Sequence, residues 1–220
     1  MVIRLAILDG EGIIYNCDKT MEIFLKEYEK FVKKFGVNLR FQEKLWFKLY
    51  PKIVRGKLKL KEADELIYQK IGIPKSKVKE WLKKDKEILL KYTKVYKDVK
   101  KLIEELKKKG IKVAVLSDTV HPLKWRIELF KKLGIEKGKH YDKIFLSNQI
   151  GAEKPEPKAY LTVLNYFKVK PEAALFIGHD KEELEGAKRV GMKILELKKE
   201  RKNMSFKKLF NLMQQKNIHV

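Results

Sequence analysis

The stretch Ile3-Arg4-Leu5-Ala6-Ile7-Leu8-Asp9-Gly10-Glu11-Gly12-Ile13-Ile14 decides how the rest of the chain is read. Four consecutive apolar residues, Leu5 to Leu8, run into an acid and a pair of nearby glycines. A short apolar run of this kind suits a strand buried on both faces. Ending it in Asp9-Gly10 delivers a carboxylate to the edge of a sheet, where the glycines let backbone and ligand come close. A strand ending in Asp-Gly is also an ordinary turn. The stretch gains its weight from three segments nearer the C-terminus.

Two of these are apolar runs that end in polar groups, and the third is a lysine-proline segment between them. Ile111 to Leu116 ends at Ser117-Asp118-Thr119. Glu153-Lys154-Pro155-Glu156-Pro157 stands just before a helical stretch. Ala174 to Ile177 ends at Gly178-His179-Asp180-Lys181-Glu182-Glu183, followed by Gly186-Ala187-Lys188-Arg189-Val190-Gly191-Met192.

Between the first strand and the Ser117 strand the periodicity is helical. Met21, Phe24, Leu25, Tyr28, Phe31, Val32 and Phe35 form one apolar stripe, stopped by Gly36. Phe41, Leu45 and Leu49 form a second, which the sequence ends near Pro51. Ala63, Leu66, Ile67 and Ile71 make a third, closed by Gly72 and Pro74. A fourth has Ser76 as expected N-cap, with Val78, Trp81, Leu82, Ile88 and Leu89 inward. Several helices with no strand between them predict a helical module inserted after the first strand.

From Asp98 onward helices and strands alternate. Helical stripes at 99–106, 123–133 and 160–167 are interleaved with strands at 111–116, 144–146, 174–177 and 194–195. That alternation argues for a parallel sheet covered on both faces. Ligands in such sheets sit at the carboxyl ends of the strands. Asp9, Ser117 and the 178–183 turn all belong there, so the periodicity alone predicts a shared site.

Composition bounds the partners. The chain has 220 residues, enough for one large domain or a core with a smaller module. It carries a formal charge of +23. Residues 16–93 hold 21 Lys and Arg against 11 Asp and Glu, and the rest hold 31 against 18. The excess is spread over both parts, with lysines interleaved with glutamates on helix faces. A solvated, thermophile-like surface is therefore expected ahead of nucleic-acid binding. Cys17 is the single cysteine, so no intrachain disulfide or zinc cluster is expected. No apolar run reaches membrane-span length, and the chain starts in a strand. A soluble, cytoplasmic protein is the expectation, with its oligomeric state open.

An acid, a hydroxyl, a lysine and a second acidic cluster, in that order on strand ends, resemble the haloacid dehalogenase-like hydrolase superfamily. The Lys-Pro-x-Pro run and the Gly-Ala-x-x-x-Gly-Met tail are the most specific pieces. The resemblance covers nearly the whole chain. It implies a Rossmann-like α/β core from residues 1–15 and 94–220, with residues 16–93 as an all-helical cap.

The resemblance also implies roles. Asp9 would be the nucleophile that forms an acyl-phosphate, splitting one hard step into two. The Ser117 hydroxyl would hold phosphoryl oxygens, with Asp118 beside it at the substrate. Lys154 would supply positive charge next to Asp9. Glu11 would serve as general acid. Mg²⁺, a hard ion that wants oxygen ligands, would sit between Asp9, the backbone carbonyl of Glu11, and Asp180 or Glu183. The implied activity is a Mg²⁺-dependent phosphatase acting on a small phosphorylated metabolite.

Three residues depart from the family pattern. Phosphatases of this superfamily usually carry Asp, then Gly-Thr, where this chain has Glu11, Gly12 and Ile13. The dehalogenase branch has an aromatic there, which Glu11 argues against. His179 replaces the first acid of the last motif, and imidazole suits Mg²⁺ less well than a carboxylate. His179 is therefore expected outside the metal shell. Asp118 stands where the family often has Asn, and its charge would repel a phosphoryl group unless turned away. Glu11 and His179 favour an alternative: a catalytically impaired member that binds a ligand or partner.

Overall fold

The computed structural model describes residues 2–198, 206–215 and 218, so the expected core span of 1–15 and 94–220 extends over residues outside it. β1 (Leu5–Asp9) is followed by the short β2 (Tyr15–Asn16). Then come four helices: α1 (Asp18–Lys33), α2 (Leu39–Val54), α3 (Leu60–Lys70) and α4 (Ser76–Tyr92). β3 (Lys94–Val95) returns the chain to α5 (Lys97–Lys108), β4 (Lys112–Ser117), α6 (Leu123–Lys132) and β5 (Lys143–Leu146). The remainder is α7 (Ser147–Ile150), α8 (Pro157–Phe167), β6 (Ala174–Gly178), α9 (Lys181–Arg189), β7 (Lys193–Glu196) and α10 (Phe206–Gln215).

β1 is the central strand of a five-stranded parallel sheet ordered β5-β4-β1-β6-β7. All five of its residues are buried. Period-2 alternation sends Ala6 and Leu8 into one core cluster, with Val113, Val115, Leu175 and Ile177. Leu5 and Ile7 enter the other, with Ala114, Leu116 and Phe176. Burial of each large aliphatic side chain contributes about 1.5–3 kcal/mol. The register pairs Asp9 with Leu116 and Leu8 with Ile177. Asp9, Ser117 and Gly178 therefore end neighbouring strands at one sheet edge, as the periodicity required.

The four helices between β2 and β3 have their own core of Tyr28, Phe31, Val32, Ile67, Tyr68, Ile73, Val78 and Trp81. Trp81 packs edge-on against Phe24 and Tyr28, with centroids 5.3 and 4.7 Å away. Some expected inward residues face out: Met21, Leu25, Phe41 and Leu66 are exposed. Their stripes are wider than the surface the neighbouring helices cover.

Two helix boundaries differ from those the sequence predicts. α2 runs through Pro51 to Val54 rather than ending there. Only one turn follows the proline, so little of the helix remains to be disrupted. Ser76 opens α4 without a capping side-chain bond, because Lys75 before it has helical rather than extended backbone. β2 and β3 form a two-residue antiparallel ribbon, too short to leave any periodicity in the sequence. The ribbon ties together the two crossings between sheet and helices. Thr20 and Thr93 hydroxyls reinforce it at 3.0 Å.

Candidate active site

Three elements converge on Asp9. Its carboxylate is buried at the end of β1. Lys154, from the loop before α8, places Nζ 2.5 Å from Asp9 Oδ1. The same ammonium lies 2.9 Å from Glu183 Oε2 on α9 and 4.0 Å from Asp118 Oδ2. The Lys154 side chain is 1% exposed, so these acids are its counter-charges. Removing an ammonium from water is costly unless such partners repay it.

The titration properties follow from this geometry. Burial alone would raise the Asp9 carboxyl, but the Lys154 charge and the nearby His179 outweigh it and hold its pKa below the usual carboxylate range. Burial works against the Lys154 ammonium too. Asp9, Glu183 and Asp118 more than offset it, raising the lysine above its ordinary value. Glu183 is pushed up to about 7 by burial, against the lowering effect of Lys154. Asp118 rises to about 6 for the same reason.

Asp118 is turned aside. Its two carboxylate oxygens accept from the Lys154 backbone N–H at 3.3 and 3.2 Å. It thus positions the lysine loop, which answers the repulsion expected of an acid after Ser117. Ser117 is buried at the end of β4. Glu11 is exposed in the turn after β1.

The last motif is arranged differently from its expected form. Asp180 is exposed and caps α9, its Oδ1 accepting from the backbone N–H groups of Glu182 and Glu183 at 2.9 and 3.1 Å. His179 takes the place beside Asp9, with Nδ1 3.2 Å from Oδ2. Apart from this contact, Nδ1 is a buried atom without a hydrogen-bond partner. The motif by itself puts His179 outside the shell and offers Asp180 or Glu183 as the ligand; in the structure His179 stands beside Asp9, Glu183 pairs with Lys154, and Asp180 caps α9. The N-cap explains why Asp180 turns away from Asp9, because the first turn of α9 has backbone donors that need an acceptor.

Whether these residues suit a divalent cation is tested by that orphaned nitrogen. Nδ1 and Asp9 Oδ2 stand at the spacing of neighbouring ligands on one ion. Among the described residues no three His, Cys, Asp or Glu side chains gather as a metal site. Two side chains suffice for an ion such as Mg²⁺, which keeps several waters and shares phosphate oxygens with its substrate. The pair therefore fits, with an imidazole where the resemblance implied a carboxylate.

Two residues near this edge left no signal in the sequence. Tyr15 follows the Gly10–Gly12 turn, with its hydroxyl 3.4 Å from Ser117 Oγ. Arg126, buried on α6, donates to that Tyr15 hydroxyl and to Thr119 Oγ1 at 3.2 Å. In the sequence Tyr15 reads as the end of an apolar run and Arg126 as one of many helix cations. The helical module also reaches this edge. Arg55, after α2, donates to Glu156 Oε1 at 2.7 Å and pairs with Glu153 at 2.6 Å, on either side of Lys154.

The model of the haloacid dehalogenase-like hydrolases matches residues 17–197. A phosphoglycolate phosphatase from Aquifex aeolicus is 33% identical over 103 residues, 46% of each chain. The chain spans about half the length of the first curated relatives it matches. A glyceraldehyde 3-phosphate phosphatase from Methanocaldococcus jannaschii is 26% identical over 206 residues, covering 87% of this chain and 83% of that one. A phosphatase from Thermococcus onnurineus has the same fold, with a TM-score of 0.67 at 21% identity over 99% of both chains. A related enzyme from Bacteroides thetaiotaomicron, solved as a magnesium complex, has a TM-score of 0.68 at 17% identity and covers 96% of this chain and 99% of its own. With the strand-end acid, hydroxyl and lysine brought to one sheet edge, this chain belongs to the haloacid dehalogenase-like hydrolase family.

Proposed function

We propose that the chain is a phosphatase that hydrolyses a small phosphorylated metabolite through an acyl-phosphate on Asp9. The observation that carries this reading is the buried pair of Asp9 and Lys154, 2.5 Å apart at the carboxyl end of the central strand. The low pKa of Asp9 keeps it ionised and able to attack phosphorus. Lys154 stays cationic and offsets charge on the phosphoryl oxygens. The Ser117 hydroxyl and neighbouring backbone N–H groups hold those oxygens. Glu11 gives a proton to the departing alkoxide and takes one from the water that cleaves the acyl-phosphate.

A divalent cation, Mg²⁺ by family, would supply positive charge between Asp9 and the phosphoryl group. Asp9, the backbone carbonyl of Glu11 and His179 would hold it, with Glu183 shared with Lys154. The helices at 16–93 act as a cap that excludes water and selects the substrate. Phosphoglycolate and glyceraldehyde 3-phosphate head the substrate panel because relatives bear those names. Among the described residues no helix is long and apolar enough to cross a membrane, in keeping with a cytoplasmic place of work.

The test is hydrolysis of a panel of phosphate esters with Mg²⁺ and with chelator, by wild type and Asp9→Asn. Turnover lost in Asp9→Asn with an unchanged circular dichroism spectrum supports the reading. Near-wild-type kcat in that variant ends it. A second reading, a ligand-binding member without turnover, is favoured by His179 at the expected acid position. It prevails if the wild type binds phosphate esters and hydrolyses none.

A further inference from the structure

Arg126 is the least explained charge in the molecule. It is buried, and among the described residues it forms no ion pair. Its donors go to two hydroxyls, Tyr15 and Thr119, while Nε has no hydrogen-bond partner. Its guanidinium carbon lies 4.9 Å from the Tyr15 ring centre. A guanidinium that gives up water for two hydroxyls is held at a cost that the surrounding fold must sustain.

What the arrangement achieves is polarity. A guanidinium has five N–H donors and no acceptor, so Tyr15 must accept from it. The phenolic proton is then free to point elsewhere. The hydroxyl recorded beside it is that of Ser117, 3.4 Å away. Distance alone leaves the direction of that contact open. With Arg126 donating to Tyr15, the phenolic O–H is available to donate to Ser117 Oγ. Burial pushes the phenol up to about 12, so the donor proton stays in place across the working range.

Gly10 makes the approach possible. A Cβ there would meet Ser117 Oγ at 2.7 Å and the Tyr15 hydroxyl at 2.9 Å. The absence of that carbon lets both hydroxyls close around the backbone immediately after Asp9. Arg126 also grips Thr119, whose Oγ1 accepts from the His121 N–H at 3.1 Å. The same side chain therefore anchors the loop after β4 and orients the hydroxyl at its start.

We propose that Arg126 and Tyr15 are positioning residues in a one-way hydrogen-bond relay, Arg126 to Tyr15 to Ser117, that turns the Ser117 proton toward a phosphoryl oxygen. With its lone pair engaged by Tyr15, Ser117 presents its own O–H outward as a donor. A preorganised donor is worth more than one that must first turn from an internal partner. The relay rests on the phosphatase reading for its ligand, and the two readouts of its test separate the relay from that reading.

The experiment is a double-mutant cycle of Tyr15→Phe with Ser117→Ala. It reads kcat/KM on the best substrate and, independently, the Kd of inorganic phosphate by calorimetry. Tyr15→Phe keeps the ring and its packing. It is expected to lower kcat/KM about tenfold and to weaken phosphate binding, the effect of one oriented hydrogen bond. In the Ser117→Ala background the same change should have less than about a twofold effect, because the group it orients is gone. Arg126→Met is expected to match Tyr15→Phe, with Arg126→Lys in between. Thermal unfolding of every variant separates loss of fold from loss of orientation. Additive effects of Tyr15→Phe and Ser117→Ala in both readouts overturn the relay while leaving the phosphatase reading intact. A wild type without turnover overturns the phosphatase reading, and the phosphate-binding cycle then judges the relay. A wild type that neither turns over nor binds phosphate overturns both.

Discussion

Lys154 Nζ bridges two acids that the chain keeps far apart, standing 2.5 Å from Asp9 and 2.9 Å from Glu183. The bridge makes the lysine at once a structural counter-charge and the cation of the candidate site. Lys154→Met should lower kcat/KM by about 10²–10³, the cost of removing one preorganised donor. It should also destabilise the fold by about 3–5 kcal/mol, since it leaves Asp9 buried without its main partner. Parallel steady-state kinetics and denaturant unfolding check both. Loss of activity with unchanged stability would show that the pair does not hold the sheet edge together.

His179 beside Asp9 predicts the metal preference. His179→Asp replaces an imidazole with a hard oxygen ligand and should raise Mg²⁺ affinity about tenfold. Calorimetric titration of Mg²⁺ into the two proteins measures it. Equal or weaker affinity in the variant would place the imidazole outside the cation's reach.

The tip between α2 and α3 seats on the core without room to spare. Gly56 has φ +68°, and a Cβ there would run into the Asn148 carbonyl. Gly36 has nearly the same φ, +67°, and open space around it. Gly36→Ala should cost about 1 kcal/mol through backbone strain alone. Gly56→Ala should cost more than that and should raise KM, because it lifts the Arg55 contacts off Glu153 and Glu156. Denaturant unfolding of the two variants decides whether the contact matters.

A buried acid in the helical module predicts the pH response. Burial, together with the nearby Asp85 charge, raises Asp64 to about 8. Asp85 in turn faces His121 Nε2 at 3.2 Å, across the interface with the core. The unfolded carboxyl titrates near 3.8. Between those values the folded state holds a proton that the unfolded state has lost. Stability therefore falls as pH rises from roughly 4 to 8. Asp64→Asn removes this dependence. Its Tm should be close to wild type at pH 4 and higher by several degrees at pH 8. Calorimetric scans at both values check it, and an equal shift at both would refute the assignment.

The sheet and the candidate residues were legible because both depend on short-range patterns. Leu5 to Leu8 and Ala174 to Ile177 are apolar runs that only a doubly covered strand buries, and each ends in the groups that reach the sheet edge. Asp9, Ser117 and the 178–183 turn could be placed together because the chain order of strand ends sets which residues share that edge, and Lys154 and Glu183 were singled out by the family resemblance. The polar partnerships were not legible. Whether Asp180 or His179 turns toward Asp9 depends on the demand of α9 for an N-cap, which competes for the same carboxylate. Tyr15 and Arg126 stand 111 residues apart and carry no pattern of their own. Local sequence thus determined which strands form and where their ends point. Only the tertiary structure decided which charges and hydroxyls pair there, because burial makes each buried donor or acceptor choose one partner from those the fold brings within reach.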